Sequence, residues 1–315
     1  MSECAVRSRL TDLFRSNSFQ DERKLINNEE HRANIENLLY GLDTKAYEHC
    51  NNLIQKLEKT YAKKFVPLAE IYTPEELQEL QKVKQYEKSI EKCDGYYQWN
   101  NFKLPINLFE TSVFYHRHGL NRLKTKDKIQ NKAIIDAGCY IADSILVLRD
   151  EFPNAPIYAF EPAKNNYKLA QETIKLNNIK NVTIENAGLG DNNSDCKIKT
   201  YDSMLKNCEN TICDEGNEVI QMTTLDEYVE KNNISVGLIK VDIEGYEQKF
   251  LQGAKNTIIT QKPILLISIY HNYNDFYKIK PLIESWHAGY KFDFFQGVHN
   301  CGNIVVETLL LSECV

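Results

Sequence analysis

The sequence has no apolar run approaching the ~20 residues that a membrane-spanning helix needs. Its first residues, MSECAVRSRLTDLF, lack the apolar core of a secretory signal. Basic excess is missing too: the net charge of -6 disfavours a phosphate-backbone partner, so no nucleic acid is expected. The nine cysteines include no C-x-x-C pair, and Cys208 and Cys213 are the only close ones. Reduced, mostly buried thiols therefore outweigh a zinc site or a disulfide framework. These absences predict a cytoplasmic protein with no membrane span. What remains, 42% apolar and 26% charged residues, is ordinary globular composition, enough for one large domain and an appendage.

The centre of the chain is residues 133–162, AIIDAGCYIADSILVLRDEFPNAPIYAFEP. An apolar run, Ala133–Ile135, ends on Asp136 and Gly138. A helix is expected next, and a second apolar run, Ile157–Phe160, ends on Glu161. Strand, turn, helix, strand, with an acid closing each strand, is how α/β domains grip a nucleoside with a charged tail. Gly138 permits a tight turn, and the following helix offers free N–H groups to a carboxylate. Glu161 can accept from both ribose hydroxyls, and Pro162 starts the next helix. Acids at two successive strand ends suit ribose hydroxyls and an ammonium group, facing Asp136, better than phosphates. S-adenosylmethionine is thus expected rather than a dinucleotide. The G-x-G-x-x-G fingerprint is indeed absent, since Cys139-Tyr140-Ile141-Ala142-Asp143 follow Gly138.

Strands and helices alternate from here on. Strands are expected at 133–137, 157–161, 182–186, 236–242, 264–270, 291–295 and 304–310, with helices over 143–152, 164–177, 224–232, 246–253 and 275–287. Near-continuous apolar strands followed by helices imply a mainly parallel sheet covered on both faces. The short loop between the last two strands predicts an antiparallel hairpin. Residues 191–219 are polar and turn-rich and read as a loop or small insertion. The fold class is α/β: a Rossmann-like, seven-stranded, mainly parallel sheet with a terminal antiparallel hairpin, preceded by an N-terminal helical extension.

Residues 1–95 read as that extension. Asp43 or Thr44 caps a helix with the stripe Ala46, Cys50, Leu53, Ile54, Leu57 and Tyr61, and Thr73-Pro74-Glu75-Glu76 spells a capping box. Helices this polar need a surface to pack on, either the catalytic domain or a second subunit, so a homodimer through them is one expectation. Residues 96–130 form a connecting cover of irregular chain or short strands, and 131–315 the cofactor-binding domain. In the cover, His116 and His118 are read as surface or hydrogen-bonded residues, although Glu110 or His118 could fold over the cofactor.

Further candidates lie downstream. Asp191, after Gly188-Leu189-Gly190, either accepts from an adenine amino group or ends a turn. In GLIKVDIEGYEQ, Lys240 and Asp242 share a strand face. Burying Lys240 is costly unless it is paired, so a structural ion pair beneath the site is expected. Asp242 ends a middle strand, where open α/β sheets place ligands. His271 ends the strand ILLISIYH and is either structural or a proton acceptor.

Together, IIDAGCYIADS, YAFEP, TTLDEYV, LIKVDIEGYEQKFLQGA and ISIYH followed by KFDFF resemble the FkbM family of S-adenosylmethionine-dependent methyltransferases. The resemblance runs from about residue 105 to 310. It implies methyl transfer to an oxygen, commonly a hydroxyl of a sugar or natural product, here a sugar or surface-glycan precursor. It also implies cofactor contacts at Asp136, Gly138, Tyr140, Asp143, Glu161, Pro162, Asp191 and Asp242. Asp242 and His271 are the candidates for orienting or deprotonating the acceptor, with Glu244 in support. Tyr140 and Ala142 replace smaller residues of the family turn. Asp242, Glu244 and His271 could also hold a divalent cation, but no H-x-x-E or D-x-D spacing backs this, and no metal is expected. A nicotinamide-dependent oxidoreductase or epimerase is the competing enzyme reading. It lacks a Y-x-x-x-K pair, since Tyr246 and Lys249 fall one residue short of that spacing. A non-catalytic cofactor-binding scaffold is the third.

Overall fold

The computed structural model describes residues 5–7, 28–62, 65–200, 211–212, 215–299 and 306–315. Its seven-stranded sheet comprises β1 (Ala133–Ala137), β2 (Ile157–Phe160), β3 (Val182–Glu185), β4 (Val236–Val241), β5 (Ile264–Ser268), β6 (Lys291–Phe295) and β7 (Leu309–Glu313). Their order is β6-β7-β5-β4-β1-β2-β3. The pairs β5–β4, β4–β1, β1–β2 and β2–β3 are parallel. Every residue of β1, β4 and β5 is buried, which is why these strands read as unbroken apolar runs instead of alternating. The expected strands are found within a residue or two at their ends, except the last: it lies over Leu309–Glu313, and residues 304–305 fall outside the described residues.

Nine helices of seven or more residues are described: α1 (Glu29–Leu39), α2 (Thr44–Ala62), α3 (Pro74–Lys88), α4 (Asp143–Glu151), α5 (Lys164–Leu176), α6 (Leu225–Lys231), α7 (Glu247–Gly253), α8 (Lys255–Gln261) and α9 (Tyr273–Ser285). The chain divides into two compact units, Met1–Ser89 with Ser268–Ser312 and Ile90–Ile267 with Glu313–Val315.

In the first unit the polar N-terminal helices find their surface inside the chain. Helix α2 packs on β6, and α1 packs on α9. Ala46, Cys50, Leu53, Ile54 and Leu57 are buried as the stripe requires, whereas the side chain of Tyr61 lies outside the described ones. Polar pairs fix the contact: His49 Nδ1 lies 2.7 Å from Asp293 Oδ1, and His31 Nδ1 lies 2.9 Å from the Tyr273 hydroxyl. The capping box of α3 forms as spelled, with the Thr73 hydroxyl accepting from Glu76 N and the Glu76 carboxylate accepting from Thr73 N. The extension is not wholly helical. Ala5–Arg7 and Phe65–Pro67 pair antiparallel, the second segment being an aromatic and β-branched run.

In the second unit, Glu91–Lys92, Tyr97–Trp99 and Phe102–Leu104 form a three-stranded antiparallel sheet, short strands as the aromatic stretch suggests. The region read as a loop or small insertion over 191–219 contributes to a four-stranded sheet, ordered Thr211–Ile212, Asp195–Lys199, Glu218–Thr223, Gly188–Leu189. These strands are short and half exposed, so they carry little apolar signal. Residues 201–210 and 213–214, including Cys208 and Cys213, lie outside the described residues. The five described cysteines, Cys50, Cys93, Cys139, Cys196 and Cys314, are all free thiols.

The centre of this unit is an ion pair. Lys240 on β4 stands opposite Asp136 on β1 in the parallel register. Its Nζ lies 3.2 Å from Asp136 Oδ1 and donates to Gly138 O at 2.8 Å. Asp136 is fully buried, and its Oδ2 accepts from Ser144 Oγ at 2.5 Å. Lys240→Met strands a buried carboxylate and is expected to lower unfolding free energy by about 3–5 kcal/mol. In urea titrations, adding Asp136→Asn should recover a clear part of that loss.

Candidate active site

The carboxyl ends of β1, β2 and β4 converge on one set of loops. At the first, Gly138 has φ +78, and a Cβ there would lie 1.9 Å from Asp242 O. No side chain fits, so the turn after β1 rests directly on the backbone after β4. Asp242 N donates to Ala137 O at 3.0 Å, completing the seam. Tyr140 and Ala142 continue the turn with φ 46 and 65, left-handed values unusual outside glycine. Helix α4 then starts at Asp143 with no side-chain cap from Ala142.

Glu161 joins the turn to the end of β2. Its Oε2 accepts from Tyr140 N at 3.1 Å, and its Oε1 accepts from Ala163 N at 2.9 Å and from Asn166 Nδ2 at 3.4 Å. Burial pushes its carboxyl up to about 8. Pro162, half-buried, follows; Asn186 Nδ2 donates to the backbone oxygens of Glu161 and Pro162 at 2.9 Å each. Asp143 is buried, accepts from Ser144 N at 2.9 Å, and is pushed by burial up to about 6. Burial alone would lower the Lys240 ammonium, but Asp136, Asp242 and Asp143 around it hold it above its ordinary value. Burial beside Asp136 and Glu161 holds the Cys139 thiol far above the ordinary thiol range.

Asp242 and Glu244 are half-buried at the end of β4, where Glu244 and Gly245 take φ 58 and 93 to turn into α7. Ile243 N donates to Glu247 Oε1 at 2.9 Å, fixing that turn. His271 is buried three residues beyond the end of β5.

Several sequence expectations are sharpened here. Lys240 makes the structural pair that its burial demanded. Asp136 spends its carboxylate on Lys240 and Ser144, not on an open cleft. Asp191 pairs with Lys249 Nζ at 2.8 Å and accepts from Asn192 Nδ2 at 2.8 Å. His118 is buried, not at the surface, and it sits at a left-handed kink within the 117–122 turn. Ser144 and Asn166 were missed; only the serine after Asp143 in IADS and the polar start of α5 mark them in sequence.

Residues 136–292 match the family model described as Methyltransferase FkbM domain. The chain is 25% identical over 174 residues to Methyltransferase 1 of Beauveria bassiana (strain ARSEF 2860), covering 48% of this chain and 70% of that protein. It is also similar to the crystal structure of Methyltransferase FkbM from Methylobacillus flagellatus KT, with a TM-score of 0.57 and 18% identity over 92% of this chain. The chain spans 60% of the length of that structure's chain. The fold is thus that of a methyltransferase. The chain belongs to the FkbM methyltransferase family.

The Glu161 carboxyl keeps its proton up to about 8 when folded but releases it near 4.5 when unfolded. The folded state therefore binds the extra proton between those values, and the stability this group contributes is full below about 4.5 and lost as pH rises to about 8. Glu161→Gln removes the titration. The stability of the wild type relative to Glu161→Gln, from urea unfolding, is expected to fall steadily from pH 5 to pH 8.

Proposed function

We propose that this chain is an S-adenosylmethionine-dependent O-methyltransferase acting on a hydroxyl of a sugar or surface-glycan precursor. The observation that carries the reading is the junction of three strand ends: an uncapped helix start, a buried carboxylate beside it, and two half-buried acids on the neighbouring strand end. The residues present fit the cofactor. Ala142 gives helix α4 no side-chain cap, leaving first-turn N–H groups other than that of Ser144, which donates to Asp143, for a carboxylate. Three protein donors occupy acceptor positions of the Glu161 carboxyl, leaving its remaining hydrogen-bonding position for a ribose hydroxyl. Gly138, Tyr140, Asp143 and Pro162 would line the same turn, and Asp191 and Asp242 would close it from the side.

When bound, S-adenosylmethionine supplies a sulfonium methyl group that an acceptor oxygen can take. Asp242 and Glu244, as carboxylates, accept hydrogen bonds from a polyhydroxylated acceptor and hold the reacting hydroxyl in line. Asp242 or His271 removes its proton, each being a side chain able to act as a general base. The tight turns at Gly138 and Gly245 let the backbone close around the reacting atoms and keep water out. Residues 131–315 are the proposed transfer domain, 96–130 its cover, and 1–95 an extension for packing or for self-association as a homodimer. A cytoplasmic setting, where nucleotide-linked sugars are made, agrees with this acceptor class.

Calorimetry should show binding of S-adenosylhomocysteine and none of NADH. With labelled methyl donor and a panel of nucleotide sugars, Asp242→Asn and His271→Ala should each lower kcat by about 10²–10⁴-fold. For His271→Ala the S-adenosylhomocysteine affinity should stay within about threefold, as expected of a group that acts in the transition state. Full activity in both variants would remove these roles.

A further inference from the structure

Upstream of β1, the second unit carries two buried polar atoms that the proposed chemistry has not used. Thr111–Tyr115 forms a π-helical turn and Arg117–Arg122 a 3-10 turn. π-Turns and left-handed non-glycine residues both concentrate at ligand sites, because the strain persists only where other interactions impose it. Here Arg117, His118 and Gly119 are left-handed in succession, with φ 50, 48 and 66. The two non-glycine residues occupy a region that L side chains adopt only at a cost. Arg117 anchors the turn to the far end of α4, 2.9 Å from Asp150 Oδ2 and 3.1 Å from Glu151 Oε2, and Lys126 reaches Glu151 at 2.5 Å.

The product of that strain is the placement of His118. Its residue is 3% exposed, and its Nε2 has no hydrogen-bond partner among the described residues. Ser112, on the adjoining π-turn that packs against α4, is 6% exposed, and its hydroxyl likewise has none among them. An unmet buried polar group is destabilising, so two on one strained segment call for a ligand. Burial, reinforced by the charge of Lys240, pushes the His118 imidazole down to about 3, so the ring stays neutral at physiological pH. The same Lys240 donates to Gly138 O, which ties His118 electrostatically to the turn after β1. A neutral ring N–H near Lys240 and a hydroxyl on the turn that packs against α4 make a donor set for an anion. It adds no positive charge next to Lys240.

We propose that His118 and Ser112 hold the carboxylate of the amino-acid end of the S-adenosyl donor. This rests on the cofactor reading above. The neutral imidazole donates through Nε2, the hydroxyl of Ser112 donates as well, and first-turn amides of α4 other than that of Ser144 complete the set. His118 and Ser112 are then binding residues for the charged tail, while Glu161 serves the ribose.

The experiment compares S-adenosylhomocysteine with 5′-methylthioadenosine, which keeps the nucleoside but lacks the amino-acid end. Titration calorimetry on wild type, His118→Ala, His118→Gln and Ser112→Ala, each checked for a native thermal unfolding transition, reads both ligands. His118→Ala should weaken S-adenosylhomocysteine at least tenfold and leave 5′-methylthioadenosine within twofold. His118→Gln, which retains an N–H donor, should recover part of the loss. Ser112→Ala, a mild change that keeps the fold testable if His118→Ala does not fold, should weaken S-adenosylhomocysteine about threefold with the same selectivity. Folded variants that bind S-adenosylhomocysteine normally, or that lose both ligands equally, would overturn the assignment. Wild-type protein that binds both ligands equally would overturn it while leaving the nucleoside site standing. Wild-type protein that binds neither would instead remove the cofactor reading itself.

Discussion

The ammonium of Lys240 is the constraint on which the second unit depends. A cation buried in a central strand is tolerable only with an opposite charge and full hydrogen bonding, and Asp136 and Gly138 O provide both. Because side chains alternate along a strand, that pair also fixes the register of β4 against β1. A slip of one residue would move Lys240 to the other face and break it. The pair thus does for the sheet centre what an apolar contact cannot: it discriminates against neighbouring registers of two strands that are otherwise uniformly apolar.

From that fixed register the loops follow. Asp136 and Lys240 lie opposite each other, so the residues just beyond them, Gly138 and Asp242, are brought into backbone contact. Only glycine satisfies both the close approach and the left-handed φ at position 138. Glu161 then bridges from the next strand to the amide of Tyr140, making three strand ends one assembly. Rigid elements with interlocked loops are what methyl transfer asks for, since the nucleophile must be aligned with the bond that breaks.

Much of this was written in local patterns. The strands of the sheet are apolar runs closed by acids, and the expected seven strands are present; the capping box at Thr73 reads the same in sequence and in structure. The pairing of Lys240 followed from the cost of burying a charge, which needs no coordinates. Other features depended on tertiary partners that a linear reading does not contain. Helix α8, KNTIITQ, has no side-chain cap and a β-branched centre, so its helicity comes from packing against α6 and β4. The small sheet around Asp195–Lys199 alternates weakly because it is half exposed. The burial of His118 hinges on three consecutive left-handed residues, and only Gly119 announces such a turn in sequence.

The thiol of Cys139 lies within the turn proposed to seat a methyl donor. Sulfur nucleophilicity belongs to the thiolate, and burial among Asp136 and Glu161 holds this thiol protonated at physiological pH. An enzyme that handles an electrophilic methyl group must not offer it a competing acceptor of its own. Burial first, and the acids Asp136 and Glu161 second, therefore keep the Cys139 thiol a poor nucleophile at the turn where the donor is proposed to sit.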